Sequence, residues 1–303
     1  MNGNRRKFLK VAGAATALAA LAPGALRAEE IPVKKRELKK GYFLNAFPGK
    51  YSLLEKFTML KEAGFDGVEP PCHLDQAEVL KACEATGLKI ASVSCGTYTR
   101  SFSSANPPMR KQGLDGLMQG LRDAKAYDAT SVLVVAGGVD EKTSYADAYA
   151  RTQEEIRKAI PLAEELGVKM AIENVWNQFL LSPMEAARYV DEFKSPAVGW
   201  HFDVGNVIAY GWPEQWIHIL GKRIQKVHFK EYSRKKRDKD GFRKGFAVEY
   251  LEGDSDWPSV MKALDEIGYK GWAIAEPAWK PEGVDIKVRL KTIAEKMDKI
   301  LAL

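Results

Sequence analysis

Four short apolar runs in the second half of the chain each end on a carboxylate or an imidazole. They read Met170-Ala-Ile-Glu173, Trp200-His-Phe-Asp203, Val227-His228 and Ala273-Ile-Ala-Glu276. Charges at the ends of otherwise apolar segments are costly unless they are paired or bound to a metal. Three carboxylates and one neutral imidazole form an oxygen-rich set that suits one divalent ion, manganese first, with magnesium, cobalt or zinc as alternatives. Such an ion polarises a carbonyl and holds the neighbouring hydroxyl, so that a carboxylate can remove the C–H proton between them. A single strand-end glutamate is more often an ion-pair partner or a cap. It is the succession of four that points to a metal.

For the four residues to converge, the runs that carry them must lie side by side. Beyond residue 40 the chain alternates short apolar runs with longer amphipathic ones. Strands are predicted at 42–46, 67–69, 89–94, 131–135, 169–173, 198–203, 226–230 and 272–276. Helices are predicted at 52–63, 76–86, 110–127, 145–166, 183–193, 213–220, 257–267 and 285–302. Gly64, Gly87, Gly167 and Gly268 follow helical patterns as left-handed stops. Eight strands alternating with eight helices predict an α/β fold, a single-domain (β/α)8 TIM barrel over 41–303. The rival, an open doubly wound sheet, would want a G-x-G-x-x-G or Walker sequence after the first strand, and none is there. In a barrel the C-terminal strand ends share one face, and strands five to eight are neighbours, so all four residues border one mouth.

The stretches IENVWNQFLLSP (172–183), WHFDVGN (200–206), VHFKEYS (227–233) and AIAEPAW (273–279) resemble the sugar phosphate isomerase/epimerase family, the xylose isomerase-like barrels. Gly-Asp-Ser-Asp-Trp (253–257) and Gly268-Tyr-Lys-Gly271-Trp add to the likeness, which runs from Tyr42 to the last helix. It implies that Glu173, Asp203, His228 and Glu276 hold one divalent metal. It also implies that Glu173 and Glu276 carry out the proton transfers, from opposite faces of a bound ketose. The motifs are specific for the superfamily and poorly specific for substrate. One departure concerns a histidine common in the epimerases three residues after the strand-six Asp. Here that position is Asn206, and an additional His201 lies two residues before Asp203. By strand alternation His201 points the same way as Asp203, as a further ligand or a substrate contact. An arginine is common beyond the strand-seven His; here Lys230, Glu231 and Arg234 are the nearby residues. Asn206 and Lys230 are therefore read as substrate contacts.

Further substrate contacts are sought at Glu69, which ends strand two, and at His73 in the loop after it. Trp176, Trp212 and Trp279 follow strands five, six and eight and could form walls for a sugar to stack on. Ordinary packing at the barrel rim is the alternative for each. His218 falls in a helical pattern without a partner and reads as structural.

The N-terminal 28 residues stand apart. Arg5, Arg6, Lys7 and Lys10 precede a mildly apolar run from Val11 to Leu26 and a small residue, Ala28. This is the anatomy of an export signal, and Asn4-Arg5-Arg6-Lys7-Phe8-Leu9-Lys10 resembles the twin-arginine type. The run is short for a hydrocarbon core of about 30 Å and contains Gly13, Pro23 and Gly24, so stable membrane insertion is not expected. The expectation is a periplasmic protein that uses the twin-arginine machinery, with 29–40 as a polar lead-in. Losing Arg5, Arg6, Lys7, Lys10 and Arg27 would take the formal net charge from +6 to +1. A near-neutral mature chain gives no footprint for nucleic acid. The basic cluster Arg234–Lys244 reads as a solvated loop. Three cysteines, Cys72, Cys83 and Cys95, do not make a disulfide framework, although one bridge is compatible with an oxidising compartment.

Together these features predict a metal-dependent isomerase or epimerase acting on a small carbohydrate, with a homo-oligomer compatible. A periplasmic setting is poor in free sugar phosphates, so a 3-keto-glycoside lyase using the same enediolate chemistry is the alternative. A non-catalytic sugar-binding barrel would not need both Glu173 and Glu276. An apurinic endonuclease would want more than the four histidines present.

Overall fold

The computed structural model describes residues 36–278 and 281–303. The signal-peptide reading of 1–28, most of the lead-in, and Trp279 lie outside the described residues. The strands are β1 (Leu38–Phe43), β2 (Gly67–Glu69), β3 (Lys89–Ile90), β4 (Val93–Ser94), β5 (Ser131–Val134), β6 (Lys169–Glu173), β7 (Val198–Asp203), β8 (Ile224–Phe229) and β9 (Gly271–Ala275). All pair in parallel, in the order β3-β2-β1-β9-β8-β7-β6-β5-β4. β3 and β4 are two halves of one stave, interrupted at Ala91-Ser92. The first half pairs with β2 and the second with β5, while Pro71 bridges to Ser94 across the break. The sheet thus closes as the expected eight-staved (β/α)8 barrel.

Local rules explain the elements. Gly64 (φ 96°) and Gly87 (φ 70°) end their helices in the left-handed conformation, as expected where the chain must turn back at once. Ser52, Asp75, Ser144 and Ser182 each accept a backbone N–H at the start of a helix. Strand alternation divides each stave between the barrel axis and the helix layer. On β7, Phe202 faces outward toward Trp216 of the helix Pro213–Leu220, while His201 and Asp203 face inward.

Several boundaries differ from the sequence reading, three of them near the site or the start of the barrel. β1 begins at Leu38, inside the expected polar lead-in. Lys39 is exposed at the N-terminal rim, the largely covered Lys40 pairs with Asp298 at 2.6 Å, and the backbone ladder to β9 proceeds regardless. Residues 44–46 form a 3-10 turn. β8 runs two residues earlier than expected, leaving Lys230 beyond the ladder and free to turn into the mouth. The basic cluster is also more ordered than a loop: Arg234–Asp240 is a short helix capped by Ser233, followed by a 3-10 segment, Phe242–Phe246.

Gly67 marks a close approach inside the barrel. A Cβ there would lie 2.4 Å from the Lys89 carbonyl oxygen and 2.6 Å from the Trp272 ring. Gly67→Ala is therefore expected to destabilise the protein by about 1–3 kcal/mol, since neither backbone nor a packed indole yields cheaply. Urea denaturation measures this directly; a change below about 0.5 kcal/mol would contradict the tight packing.

Candidate active site

The C-terminal mouth holds a cavity of about 350 Å³ whose lining includes Glu173, Glu276, Asn206, Lys230 and Trp176. At its floor the sequence-derived quartet comes together. One donor atom each from Glu173, Asp203, His228 and Glu276 can be chosen so that all lie within 4.8 Å of one another. His228 Nδ1 is 3.0 Å from Glu276 Oε2, 3.1 Å from Glu173 Oε1 and 3.9 Å from Asp203 Oδ2. Donor atoms around a divalent ion lie about 2.1 Å from it and hence up to about 4 Å apart, so the quartet matches one ion with little adjustment. Glu276 Oε2 is buried and makes no hydrogen bond among the described residues, although it faces this cluster with His228 Nδ1 3.0 Å away. A buried carboxylate oxygen of that kind is what a coordinated ion would satisfy. The residues present fit the metal.

The backbone explains the convergence. Glu173 and Asp203 are the last residues of β6 and β7, His228 is the penultimate residue of β8, and Glu276 follows β9 directly. The Glu276 N–H still donates to the Phe229 carbonyl (2.9 Å), which keeps it in register with the ladder. Asn174 locks β6 to β7. Its Oδ1 accepts from the Asp203 N–H (2.9 Å) and the Trp200 indole (3.1 Å), and its Nδ2 donates to the Asp203 carbonyl (2.8 Å). The Asn206 N–H donates to Asp203 Oδ1 (2.7 Å), leaving Oδ2 to face the cluster.

The electrostatics follow from burial and neighbours. Burial pushes Glu173 and Asp203 above the ordinary carboxylate range, Asp203 strongly. Burial works the same way on Glu276 but is outweighed by Lys230 and His228, and its carboxyl ends well below that range. Burial opposes the charged form of His228, yet Glu69, Glu173 and Glu276 together raise it well above a free imidazole. Lys230 donates to Glu276 Oε1 at 2.8 Å and to Asp203 Oδ2 at 3.3 Å.

The other expected site residues divide. Asn206, Lys230 and Trp176 line the cavity. The Trp176 indole donates to the Asn206 carbonyl (2.9 Å), and its ring packs against Phe242 (4.3 Å) and Phe246 (4.6 Å) as an aromatic wall. Glu69 does not reach the cavity. It is fully buried behind His228, with Oε1 3.1 Å from Nε2, and accepts a short hydrogen bond from Ser92. His201 is also fully buried, its ring 4.2 Å from that of His228; its two nitrogens make no hydrogen bond among the described residues, and Nε2 lies 3.9 Å from Glu69 Oε2. It lies one layer deeper because it precedes Asp203 by two residues, and burial holds it neutral. His73 stands outside the cavity, stacked on Tyr98 (4.2 Å) and within 3.0 Å of the Gly116 carbonyl oxygen. Trp212 is exposed and packs with Arg234. His218 pairs with Glu266 at 2.7 Å on the surface, in line with its structural reading.

Sequence reasoning missed several lining residues, among them Phe43, Thr97, Arg100, Arg243 and Phe246. Phe43 ends β1, Thr97 and Arg100 lie in the short helical turns after β4, and Arg243 and Phe246 lie in the 3-10 segment; none carries a distinguishing pattern, except that Arg243 belongs to the basic cluster.

A family model described as the xylose isomerase-like TIM barrel matches residues 57–299, and the chain belongs to that family. Among curated proteins it resembles the L-ribulose-5-phosphate 3-epimerase UlaE of Salmonella heidelberg (strain SL476). The two are 22% identical over 251 residues, 78% of this chain and 86% of the relative. Among solved structures, a D-psicose 3-epimerase determined in the presence of D-fructose superposes with a TM-score of 0.73 at 18% identity, over 88% of this chain and all of that one. The 3-keto-D-glucoside 4-epimerase YcjR of E. coli, in its apo form, gives the same values. At that identity the superpositions speak for the fold.

Removing Asn174 is the sharpest test of how the ligand strands are held. Asn174→Ala leaves two buried donors and one carbonyl without their partner and is expected to cost about 2–4 kcal/mol. Chemical denaturation would show this; a neutral substitution would mean that Asp203 is positioned by other contacts.

Proposed function

We propose that this chain is a divalent-metal-dependent sugar isomerase or epimerase that moves a proton on a keto sugar through an enediolate. The observation that carries it is the convergence of Glu173, Asp203, His228 and Glu276 at the floor of a sugar-sized cavity. Relatives named as epimerases of a ketose phosphate, a ketohexose and a keto-glucoside support the substrate class.

In this reading the quartet holds the ion, manganese first. His228 keeps its proton on Nε2, toward Glu69, and offers Nδ1 as ligand, an arrangement in which Glu69 orients the ring. The bound ion supplies polarisation of the substrate carbonyl and adjacent hydroxyl. The chain's own residues handle the proton. Glu173 and Glu276 sit in contrasting surroundings, one raised by burial and the other held low by Lys230 and His228. Such a contrast suits an exchange in which one carboxylate takes the proton and the other returns it. Lys230 and Asn206 face the substrate, and Trp176 offers a ring face to it.

A second reading has an observation of its own. The Trp176–Phe242–Phe246 wall beside the cavity suits an apolar aglycone better than a free ketose needs. Enolisation next to a glycosidic bond would then expel that aglycone by β-elimination, a 3-keto-glycoside lyase activity. Export rests on residues 1–28 alone and is part of the same proposal; N-terminal sequencing of the protein from a periplasmic fraction tests it.

With Mn²⁺ and D₂O, ketoses are expected to take up deuterium at the carbon beside the carbonyl. Release of aglycone from 3-keto-glycosides under the same conditions would select the lyase, and no exchange with either class would sink both readings. Glu173→Gln or Glu276→Gln should slow exchange about 10²–10⁴-fold. Calorimetry should find no Mn²⁺ binding by Asp203→Ala or His228→Ala, and roughly 10–100-fold weaker binding by Glu69→Gln. Full occupancy of Asp203→Ala would remove the ligand assignment.

A further inference from the structure

Among the described residues Lys230 is the ammonium that touches the acidic quartet, and its contacts are specific. Its side chain is nearly buried. Nζ lies 2.8 Å from Glu276 Oε1, 3.3 Å from Asp203 Oδ2 and 5.0 Å from the centre of the Phe246 ring. Gly205, in the turn after β7, makes room for the stem. A Cβ at that position would lie 2.8 Å from Lys230 Cβ and Cγ. The ammonium is therefore threaded into the site by the packing around it.

The two carboxylates it touches are not equivalent. Asp203 Oδ1 is committed to the Asn206 N–H, so Oδ2 is the oxygen left for a metal, and Oδ2 is the one Lys230 occupies. Glu276 divides the other way. Oε1 holds Lys230, while Oε2 lies buried beside His228 Nδ1 and makes no hydrogen bond among the described residues. An incoming ion can take Glu276 Oε2 without disturbing the lysine, but at Asp203 Oδ2 it meets the ammonium already there, and the two positive charges compete for that oxygen.

We propose that Lys230 is a displaceable internal counter-ion, which offsets part of the charge of Asp203 and Glu276 in the ion-free protein and yields Asp203 to the metal while remaining anchored on Glu276 Oε1. This rests on the reading of the quartet as metal ligands. The device keeps a crowded set of carboxylates folded before metal arrives. It weakens metal binding by the strength of one charge-assisted hydrogen bond, and it leaves an ammonium with a vacated donor position beside the ion.

The test is the Mn²⁺ affinity of the apo-protein, by calorimetry, together with the rise in Tm on adding Mn²⁺. Lys230→Met should bind Mn²⁺ roughly tenfold or more tightly than the wild type, the scale of a hydrogen bond to a charged group. It should be less stable without the ion and gain more Tm from it. Lys230→Gln carries the same expectation should the Met variant fail to fold, and Lys230→Arg, which keeps the cation, should stay close to wild type. Arg243→Met removes a cavity-lining charge that touches no ligand and should change the affinity less than about threefold. Unchanged or weaker binding by Lys230→Met and Lys230→Gln overturns the proposal, as does an equal gain in Arg243→Met, which would mark a general effect of charge. Wild-type binding lost in Asp203→Ala, with no gain in the Lys230 variants, removes the counter-ion role alone. Equal binding by the wild type and Asp203→Ala removes the ligand reading beneath it.

Discussion

The structure is organised around the cost of placing three carboxylates within a few ångströms of one another in a buried site. Like charges that close together raise one another's energy, and burial removes the water that would otherwise screen them. Each neighbour of the quartet answers part of that cost. His228 lies against Glu173 and Glu276, Lys230 bridges Glu276 and Asp203, and the Asn206 amide caps Asp203. What is left over, chiefly Glu276 Oε2, which makes no hydrogen bond among the described residues, is the feature a divalent ion would satisfy. The barrel makes such a concentration tolerable, because four parallel strands end on one face and their ladders hold the four backbones rigidly.

Behind this layer stands a second one. Glu69 and Ser92 come from the opposite side of the barrel and meet His228 at its far nitrogen, so the imidazole is held from both edges. Asn174 ties the ends of β6 and β7 together through three hydrogen bonds. Rigid support of this kind would hold the quartet's geometry ready for an ion. The cavity wall is built differently, from loop residues such as Trp176, Phe246 and Arg243, and loops are where members of one fold diverge in substrate.

The register of the site was legible in the chain because it follows from local rules. Apolar runs of strand length, glycine stops and helix caps mark out eight staves, and four of them end on a chelating side chain. Less legible were positions where polar residues sit inside ladders. Lys39 and Lys40 belong to β1 although they look like lead-in, since one reaches solvent and the other pairs with Asp298 while the backbone stays in the ladder. Glu69 and His201 share the inward direction of the ligands but lie behind or beneath His228, a matter of depth that alternation alone does not encode. His73, next in the chain to the barrel mouth, turns away to Tyr98 and the Gly116 carbonyl.

By itself the sequence determined the alternation of strands and helices, the barrel it implies, and the four residues that meet at its mouth, because period and position along a strand dictate both face and end. Only the tertiary structure decided which neighbours surround them. It put Lys230 rather than water on Asp203 Oδ2, Glu69 behind His228, and an aromatic wall beside the cavity. These contacts join residues 27 to 159 positions apart, and distances of that kind are set by how staves and loops close around the axis. Strand-end chemistry is local and can be read along the chain; its partners are global and appear only when the barrel is closed.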